Sequence, residues 1–431
     1  MGAIRELAER SWSGGMEPSL LWKPTGLSEE IAADVFFLHA FANVTVVRTG
    51  SGLVLVDTAS YAARARTFAA VRAIDPSPLH AAIYTHGHAD HAFGLPPFLA
   101  EVAQKGWPRP RIVGHRSVAA RFDRYRATAA YNGLINARQF SIAASWPTEY
   151  DYPDTTYDHA LALRTDGVVL ELQHARGETD DHTWVWWPEQ RILWSGDLFI
   201  WVAPNAGNPQ KVQRYAAEWA AALREMASRG AELLIPGHGA PIFGAGRVQQ
   251  ALTDTAEWLE SLVSQTLALM NAGATLERVL REVRPPAHLA TRRYLQPVYD
   301  EPDYVVRNIW RLYGGWYDGA PARLKPAPDA EIGREIVALA GGVDALIARA
   351  RALAAAGRLA LASHLIDWVT AAEPDQRDAH AARAEIYEQR AQGARALMTR
   401  GIFSATAREA LEKARESPPK DPLSPEGRGS G

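Results

Sequence analysis

One short segment of the chain concentrates residue types that can bind metal ions. Residues 85–91 read Thr-His-Gly-His-Ala-Asp-His and directly follow the apolar run 81–84, which predicts a buried strand. Alternate side chains of an extended chain point the same way, so His86 and His88 can bind one ion. Where the chain turns into a helix, Asp90 and His91 are directed at a second ion. Because imidazole and carboxylate suit zinc, iron or manganese, the segment predicts a metal site rather than a surface histidine cluster.

The composition narrows both the kind of metal site and the kind of protein. The 431 residues include 13 histidines and no cysteine, which excludes disulfides, thiolate zinc ligands, iron–sulfur clusters and a cysteine nucleophile. A formal net charge of −3 gives no bulk attraction to nucleic acid or anionic lipid. We find no secretory signal and no apolar run of about 18 residues, so we expect a cytoplasmic protein that does not bind a membrane.

Two regions of the chain differ in their periodicity. From about residue 34 to 270, short β-branched and aromatic runs alternate with helical segments, which predicts a layered α/β sandwich. After about residue 272 the strand patterns end, and Ala-, Arg- and Leu-rich helical pairs that resemble tetratricopeptide repeats take over. We therefore predict domains at residues 1–272 and 273–417, followed by a disordered tail at 418–431.

The spacing of residues 86–91 resembles the signature of the metallo-β-lactamase superfamily, His-x-His-x-Asp-His. This resemblance implies an αββα sandwich, followed here by an all-α region, and three further ligands from loops after later strands. Asp197 matches the superfamily's bridging aspartate, and His238 matches its last histidine. Asp57 matches an aspartate that organises the site from behind the ligands, although a turn-capping role is the alternative.

The remaining ligand position departs from most of the superfamily. It usually reads Pro-Gly-His-Thr, whereas residues 176–179 of this chain read Arg-Gly-Glu-Thr and place Glu178 there, with His174 as the alternative ligand. Glu178 lies ten residues before Pro188, and Asp197 lies nine after it. This spacing resembles that of the alkyl sulfatases, zinc-dependent members whose second acid is usually also glutamate, so Asp197 is a departure from them.

A second stretch supports the same subfamily. Residues 307–321 resemble the segment that opens the alkyl sulfatase dimerisation domain, so residues 273–417 are expected to form that domain and a homodimer. The resemblance covers most of residues 34–414. We expect the sterol-carrier-like C-terminal domain of larger alkyl sulfatases to be absent, and the export signal that many of them carry is not found. Both differences bear on the natural substrate.

The resemblance also implies how the ligands divide and what they do. His86, His88 and Glu178 would hold one Zn²⁺, and Asp90, His91 and His238 the other, with Asp197 between them; iron or manganese are the alternatives. Such a centre lowers the pKa of a bound water and attracts an anionic ester. Asp90, Asp197 and Tyr313 are the expected catalytic residues. The expected substrate-binding residues are Tyr131, Asn132, Asn205, Lys211, Arg214 and Tyr313, and no residue is identified as the acid for the leaving alcohol.

The sequence thus predicts a binuclear metal-dependent hydrolase that cleaves alkyl sulfate esters, small anionic or amphiphilic molecules, by means of a metal-activated hydroxide. Hydrolysis of lactones, thioesters or phosphoesters on the same fold is the first alternative. The second is a binding protein without catalysis that works through its helical region. Loss of catalysis normally erodes ligands, whereas all seven predicted positions hold residues that can bind metal.

Overall fold

The computed structural model describes residues 2–15 and 24–416, and the predicted tail at 418–431 lies outside them. The chain forms two compact units. The first comprises the residues up to Gly133 together with Ser145–Gly319, and the second comprises Leu134–Ala144 and the residues from Ala320 onward. The first unit thus extends beyond residue 272, and the domain boundary placed there stays a prediction.

Two sheets dominate the first unit. In the described residues the first sheet has the order β1 to β7, antiparallel from β1 to β4 and parallel from β4 to β7. Its strands are Ser28–Ala32, Val35–Leu38, Val44–Arg48, Leu53–Val56, Leu79–Ile83, Arg111–His115 and Thr155–Tyr157.

The second sheet has the order β13-β12-β11-β10-β9-β8 and is antiparallel except for the pair β11 and β12. Its strands, β8 to β13, are Ala160–Thr165, Val168–His174, Thr183–Trp187, Ile192–Gly196, Leu233–Pro236 and Ile242–Phe243. In each sheet a run of antiparallel strands is followed by a parallel pair, β4 and β5 in the first sheet and β11 and β12 in the second. A helix connects the two strands of each pair, so the two halves of the unit have the same arrangement.

Helices cover the outer faces of the two sheets. Those of the first unit, α1 to α10 with α6 continuing into the second unit, are Ala3–Arg10, Arg64–Ile74, Ala89–Ala92, Pro96–Lys105, Ser117–Ala127, Ala129–Phe140, Ala216–Ser228, Ala245–Asn271, Leu276–Glu282 and Pro302–Gly314. Short 3₁₀ turns lie at Ala287–Leu289 and Arg293–Leu295, and a π-helical turn lies at Ser11–Gly15.

Alternation along the strands builds a four-layer core. In β10, Val185 faces the other sheet, in one cluster with Val54 and Ile83 of the first sheet. Its neighbour Trp184 faces outward and packs with Trp219 of α7. Because side chains of a strand alternate between faces, each fully buried strand serves both an inner and an outer layer. The predicted αββα sandwich is confirmed.

The second unit is helical, as predicted. Its helices α11 to α15 are Asp329–Leu339, Val343–Ala355, Leu359–Ala372, Arg377–Gly393 and Leu397–Glu416, after a 3₁₀ turn at Pro321–Arg323. Its core includes Ile347 of α12, Ile366 of α13 and Ile386 of α14. Gly333 of α11 lies so close to α13 that a Cβ there would meet the Trp368 carbonyl at 2.4 Å. None of the described helices has an 18-residue stretch apolar enough to span a bilayer.

Candidate metal centre

The predicted ligands gather where strands of the two sheets end. The segment 85–91 follows β5, Asp197 follows β11, and His238 follows β12. Glu178 lies in the loop between β9 and β10. Strand ends of both sheets thus deliver side chains to one place, although these residues are up to 152 positions apart in sequence.

The side chains form two groups that share a carboxylate. His86, His88, Glu178 and Asp197 make the first group, and Asp90, His91 and His238 make the second, with the ligand atoms of each group within 4.8 Å of one another. One oxygen of Asp197, Oδ1, lies 3.3 Å from His91 Nε2. The other, Oδ2, lies 3.8 Å from His86 Nε2 and 3.4 Å from His238 Nε2. Asp197 therefore lies between the two groups.

Asp57 fixes the orientation of the histidine motif from behind. Its carboxylate accepts hydrogen bonds from the Thr85 backbone N–H at 2.8 Å and the Thr85 hydroxyl at 2.9 Å. It also accepts one from His91 Nδ1 at 2.7 Å, which turns Nε2 of that ring toward Asp197. The residue has a φ of +60°, a conformation that a buried hydrogen-bonded carboxylate can stabilise. Carboxylate partners of this kind orient metal-binding histidines.

Two glycines make room for the close approach of the loops. A Cβ at Gly87 would lie 2.8 Å from Arg121 Cδ and 2.9 Å from Asp181 Oδ2. A Cβ at Gly237 would lie 2.0 Å from Asp197 Oδ1. Any larger residue would displace Arg121 or Asp181 at the first position and Asp197 at the second.

Glu178, and not His174, has its side chain among the histidines. Glu178 is 2% exposed, and its Oε2 lies 3.7 Å from His86 Nε2 and 3.6 Å from His88 Nδ1. His174 instead donates from Nδ1 to the His182 carbonyl at 2.9 Å and stacks on His115 at 3.6 Å between ring centroids. This geometry favours Glu178 as the ligand over His174.

The donor set fits divalent metal ions, which the fold of the chain implies. Within residues 2–15 and 24–416, His91 Nε2, Glu178 Oε2 and Asp197 Oδ1 are buried and have no hydrogen-bond partner. Buried polar atoms without a partner are costly. Here all three belong to the two groups, where a cation would satisfy each of them with nitrogen and oxygen ligands.

The electrostatics of the centre follow from its burial and its crowded charges. Burial lowers the pKa of His86 and His88 well below the usual range, which favours the neutral form that binds metal. Burial also raises the pKa of Glu178 to about 8, an effect that Arg214 opposes and Asp197 reinforces. Burial acts to lower the pKa of His91, but Asp197, Asp57 and Asp90 outweigh it and raise that pKa well above its ordinary value. Cations entering the centre would therefore displace protons.

A buried ion pair, which was not predicted from the sequence, holds the histidine motif of residues 85–91 in place. Arg121 of α5 donates from Nε to Asp181 Oδ2 at 2.8 Å, and its Nη2 also contacts Asp180. Asp181 accepts a bond from the Gly87 backbone N–H at 3.1 Å, so the pair anchors the histidine loop. His182 stacks on His86 and accepts the Asp197 backbone N–H at 3.1 Å. The polar run 180–182, directly before the buried strand β10, is a sequence signal that could have indicated these residues.

Replacing Arg121 by methionine is expected to destabilise the protein strongly. Arg121 and Asp181 are 2% and 0% exposed, and removing one partner leaves a buried charge without compensation. We expect a loss of about 3–5 kcal/mol in the free energy of unfolding, measured by denaturant titration. The matched control is Arg116→Met, whose ion pair with Asp158 is solvent-exposed and worth at most about 1 kcal/mol. Equal effects of the two substitutions would contradict the anchoring role.

Comparisons with known proteins agree with this geometry. Residues 40–238 match the family described as the metallo-β-lactamase superfamily, and residues 275–413 match the alkyl sulfatase dimerisation family. Residues 40–238 are thus similar to the metallo-β-lactamase superfamily. Residues 275–413 are similar to the alkyl sulfatases in their dimerisation region.

Two curated relatives of this chain come from Pseudomonas. It is 28% identical to a linear primary-alkylsulfatase over an alignment of 351 residues, with 76% of this chain and 64% of that protein covered. It is 27% identical to an (R)-specific secondary-alkylsulfatase, with 90% of this chain and 64% of that protein covered. The chain thus spans slightly less than two thirds of the length of each of these relatives.

A solved structure shares the fold across both regions. A double mutant of the sec-alkyl sulfatase PisA1 superposes with a TM-score of 0.82 at 24% identity, covering 96% of this chain and 70% of that chain. The structure of the stereoselective inverting sec-alkylsulfatase Pisa1 from Pseudomonas sp. gives a TM-score of 0.79 at 24% identity, covering 91% of this chain and 66% of that chain.

The predicted substrate-binding residues lie in different settings in the structure. Asn205 and Arg214 are buried and both bind the carboxylate of Glu178. Lys211 is half-buried, and its charge environment includes Asp90 and Glu178, so it lies near both groups. These roles in substrate binding stay predictions.

Of the other three predicted residues, two are exposed and one is buried. Tyr131 and Tyr313 are 59% and 51% exposed. Asn132 is buried and donates to the carbonyl and hydroxyl of Thr128 in the preceding turn. The roles of Tyr131, Asn132 and Tyr313 in substrate binding stay predictions.

Tyr299 is a further residue beside the centre. The apolar and aromatic residues around Tyr299 to Tyr317 suggest a dimer interface, and this stays a prediction. Burial and the negative charges of Glu178 and Asp90 raise the pKa of Tyr299 well above its ordinary value, so its hydroxyl stays protonated. No motif marks this residue, because it reaches the centre from the turn before α10.

Proposed function

We propose that the protein is a metal-dependent hydrolase of sulfate esters, with alkyl sulfates as the preferred class. The observation that carries the proposal is the pair of adjoining ligand groups joined by Asp197, with Glu178 where most of the superfamily has histidine. The curated alkylsulfatase relatives and the match to the alkyl sulfatase dimerisation family support the substrate class.

The ligands divide between two ions, for which zinc is the first candidate. His86, His88 and Glu178 would hold one, Asp90, His91 and His238 would hold the other, and Asp197 would contact both. When bound, two divalent cations lower the pKa of a water molecule and attract the negative sulfate group. The three carboxylates leave one net positive charge against two such cations, so the centre favours an anionic substrate.

Groups of the chain beside the ligands would orient the sulfate and assist the leaving alcohol. Lys211 carries a positive charge at the edge of the centre, and Tyr299 offers a protonated hydroxyl. Hydrolysis adds water to the ester and releases the alcohol and hydrogen sulfate; where the S–O bond is the one that breaks, one proton must reach the alkoxide oxygen. Lys211 and Tyr299 are the candidates for that donor, because no histidine occurs in residues 201–215.

The affinity for an anionic substrate is expected to fall at alkaline pH. Burial and the charge of Arg214 lower the pKa of Lys211 to about 8, with Arg121 acting in the same direction and Asp90 and Glu178 opposing it. The ammonium is present below that pKa and is lost above it; bound cations lower the pKa further. We expect KM for an alkyl sulfate to rise from about pH 8 or below, and to stay flat to higher pH in Lys211→Arg. Identical KM profiles would contradict the assigned role.

A substrate panel tests the proposal directly. The metal-loaded protein is assayed with primary and secondary alkyl sulfates, aryl sulfates, lactones, thioesters and phosphoesters, with the chelated protein as the control. We expect sulfate release from alkyl sulfates only in the metal-loaded sample, and ¹⁸O-labelled water will identify the broken bond. Hydrolysis confined to another ester class would overturn the substrate class. Less than one tightly bound ion per chain, with no turnover, would favour a binding protein instead.

The oligomeric state belongs to the same proposal. Residues 275–413 match a family described by dimerisation, so a homodimer is expected. A monomeric mass in light scattering across the working concentration range would contradict it.

A further inference from the structure

Glu178 is held from one side only. Its Oε1 accepts hydrogen bonds from Arg214 Nη1 at 2.6 Å and from Asn205 Nδ2. Its Oε2 has no hydrogen-bond partner among the described residues and lies 3.7 Å from His86 Nε2 and 3.6 Å from His88 Nδ1. One oxygen is therefore occupied by the protein, and the other is presented to the histidines.

Arg214 contacts Glu178 and is shielded from solvent. The residue is 3% exposed, and the same Nη1 that meets the carboxylate also donates to the Glu178 backbone carbonyl at 3.1 Å. A guanidinium that contacts both the main chain and the side chain of one residue fixes its rotamer as well as its position. It also compensates the charge of a carboxylate that is 2% exposed.

The loop that carries Asn205 and Arg214 is itself fixed at both ends. Asp300 is fully buried and accepts the backbone N–H groups of Gly207 at 2.6 Å and Asn208 at 3.1 Å. Asn308 of α10 donates to the carbonyls of Ala206 at 2.8 Å and Arg214 at 3.1 Å. These bonds hold the two donors at a constant distance from Glu178, as a rigid ligand requires.

We propose that Arg214 and Asn205 are positioning residues that make Glu178 a charge-compensated metal ligand presenting a single oxygen. The inference rests on the metal-binding part of the proposed function. The Glu178–Arg214 pair brings no net charge to the first ion, as a neutral histidine would. Arg214 is then not a substrate contact, and Lys211 is left as the cation of this loop that meets the sulfate.

The first test compares how two positively charged residues of the same loop, Arg214 and Lys211, affect the zinc affinity. Each purified variant is dialysed against zinc buffered by graded chelator, and bound zinc per chain is measured by mass spectrometry. We expect Arg214→Met to weaken binding of one ion by about 10–100-fold, Asn205→Ala to weaken it in the same direction, and Lys211→Met to retain the wild-type value. Thermal unfolding checks that each variant folds. If Arg214→Met does not fold, Asn205→Ala tests the inference in its place.

The second test uses compensation, which a merely structural role would not give. Glu178→His alone leaves the buried Arg214 cation unpaired beside the ion, so weak binding is expected. In the double variant Glu178→His with Arg214→Met the ligand needs no counter-charge, and binding should return to within about tenfold of wild type. A double variant no better than Glu178→His, or wild-type zinc affinity in Arg214→Met with only KM raised, would overturn the inference. A wild-type protein that binds no metal would overturn the proposed function itself and this inference with it.

Discussion

Asp197→Ala is expected to lose bound metal from both positions and to reduce hydrolysis at least about 100-fold, since removing even an indirect partner of a ligand costs 10–100-fold. Asp197 has contacts to both groups, 3.3 Å from His91 on one side and 3.8 Å from His86 on the other. Its loss would remove the carboxylate that lies between the charges of His91 and His238. Metal content and turnover are measured on the same preparation.

The matched control for Asp197→Ala is Glu189→Ala. Glu189 lies in the exposed turn between β10 and β11, the strand that delivers Asp197, so the control removes one acid from the same hairpin. We expect it to keep both ions and full turnover. Retention of two ions and activity in Asp197→Ala would show that the shared position belongs to another group.

Glu178→Gln is expected to weaken metal binding far more than His174→Ala. The amide keeps the shape and the hydrogen bond from Asn205 but removes the negative charge, which leaves Arg214 buried without a counter-ion. His174 contacts the His182 carbonyl and the ring of His115, so its removal disturbs packing beside the site and no ligand atom. We expect at least a tenfold difference in zinc affinity between the two variants.

Chelator competition followed by metal analysis measures that difference, and the unfolding temperature of each variant separates lost affinity from lost folding. The reverse order, with His174→Ala the more damaging, would transfer the ligand role to His174. Wild-type affinity in both variants would remove Glu178 and His174 alike from the centre.

The fold was predictable because its signals are local. The strand runs 44–47, 53–56 and 81–84 are short and largely apolar, with a turn between the first two and a helix between the last two. Each corresponds closely to a strand of the structure. The histidine motif was equally local, because its spacing alone directs neighbouring side chains to the same place. Asp197 and His238 could be placed only through the resemblance of the motif to a known superfamily, since nothing in their own spacing connects them.

The supporting residues were not predictable in the same way. Arg121 meets Asp181 across 60 positions, and Arg214 meets Glu178 across 36, with no periodic pattern to relate them. Arg214 in particular looks in sequence like any cation available to an anionic substrate. Only its burial and its contacts assign it to the ligand.

The sequence by itself determined the layered fold, the donor chemistry of nitrogen and oxygen without sulfur, and the identity of the residues able to bind metal. Tertiary structure decided which of two candidates, Glu178 or His174, faces the histidines, and which charged side chains face each other instead of the substrate. The physical reason is that the type of a residue fixes which ligands its side chain can bind. Which groups that side chain contacts is fixed by the packing of strand ends and loops from both sheets.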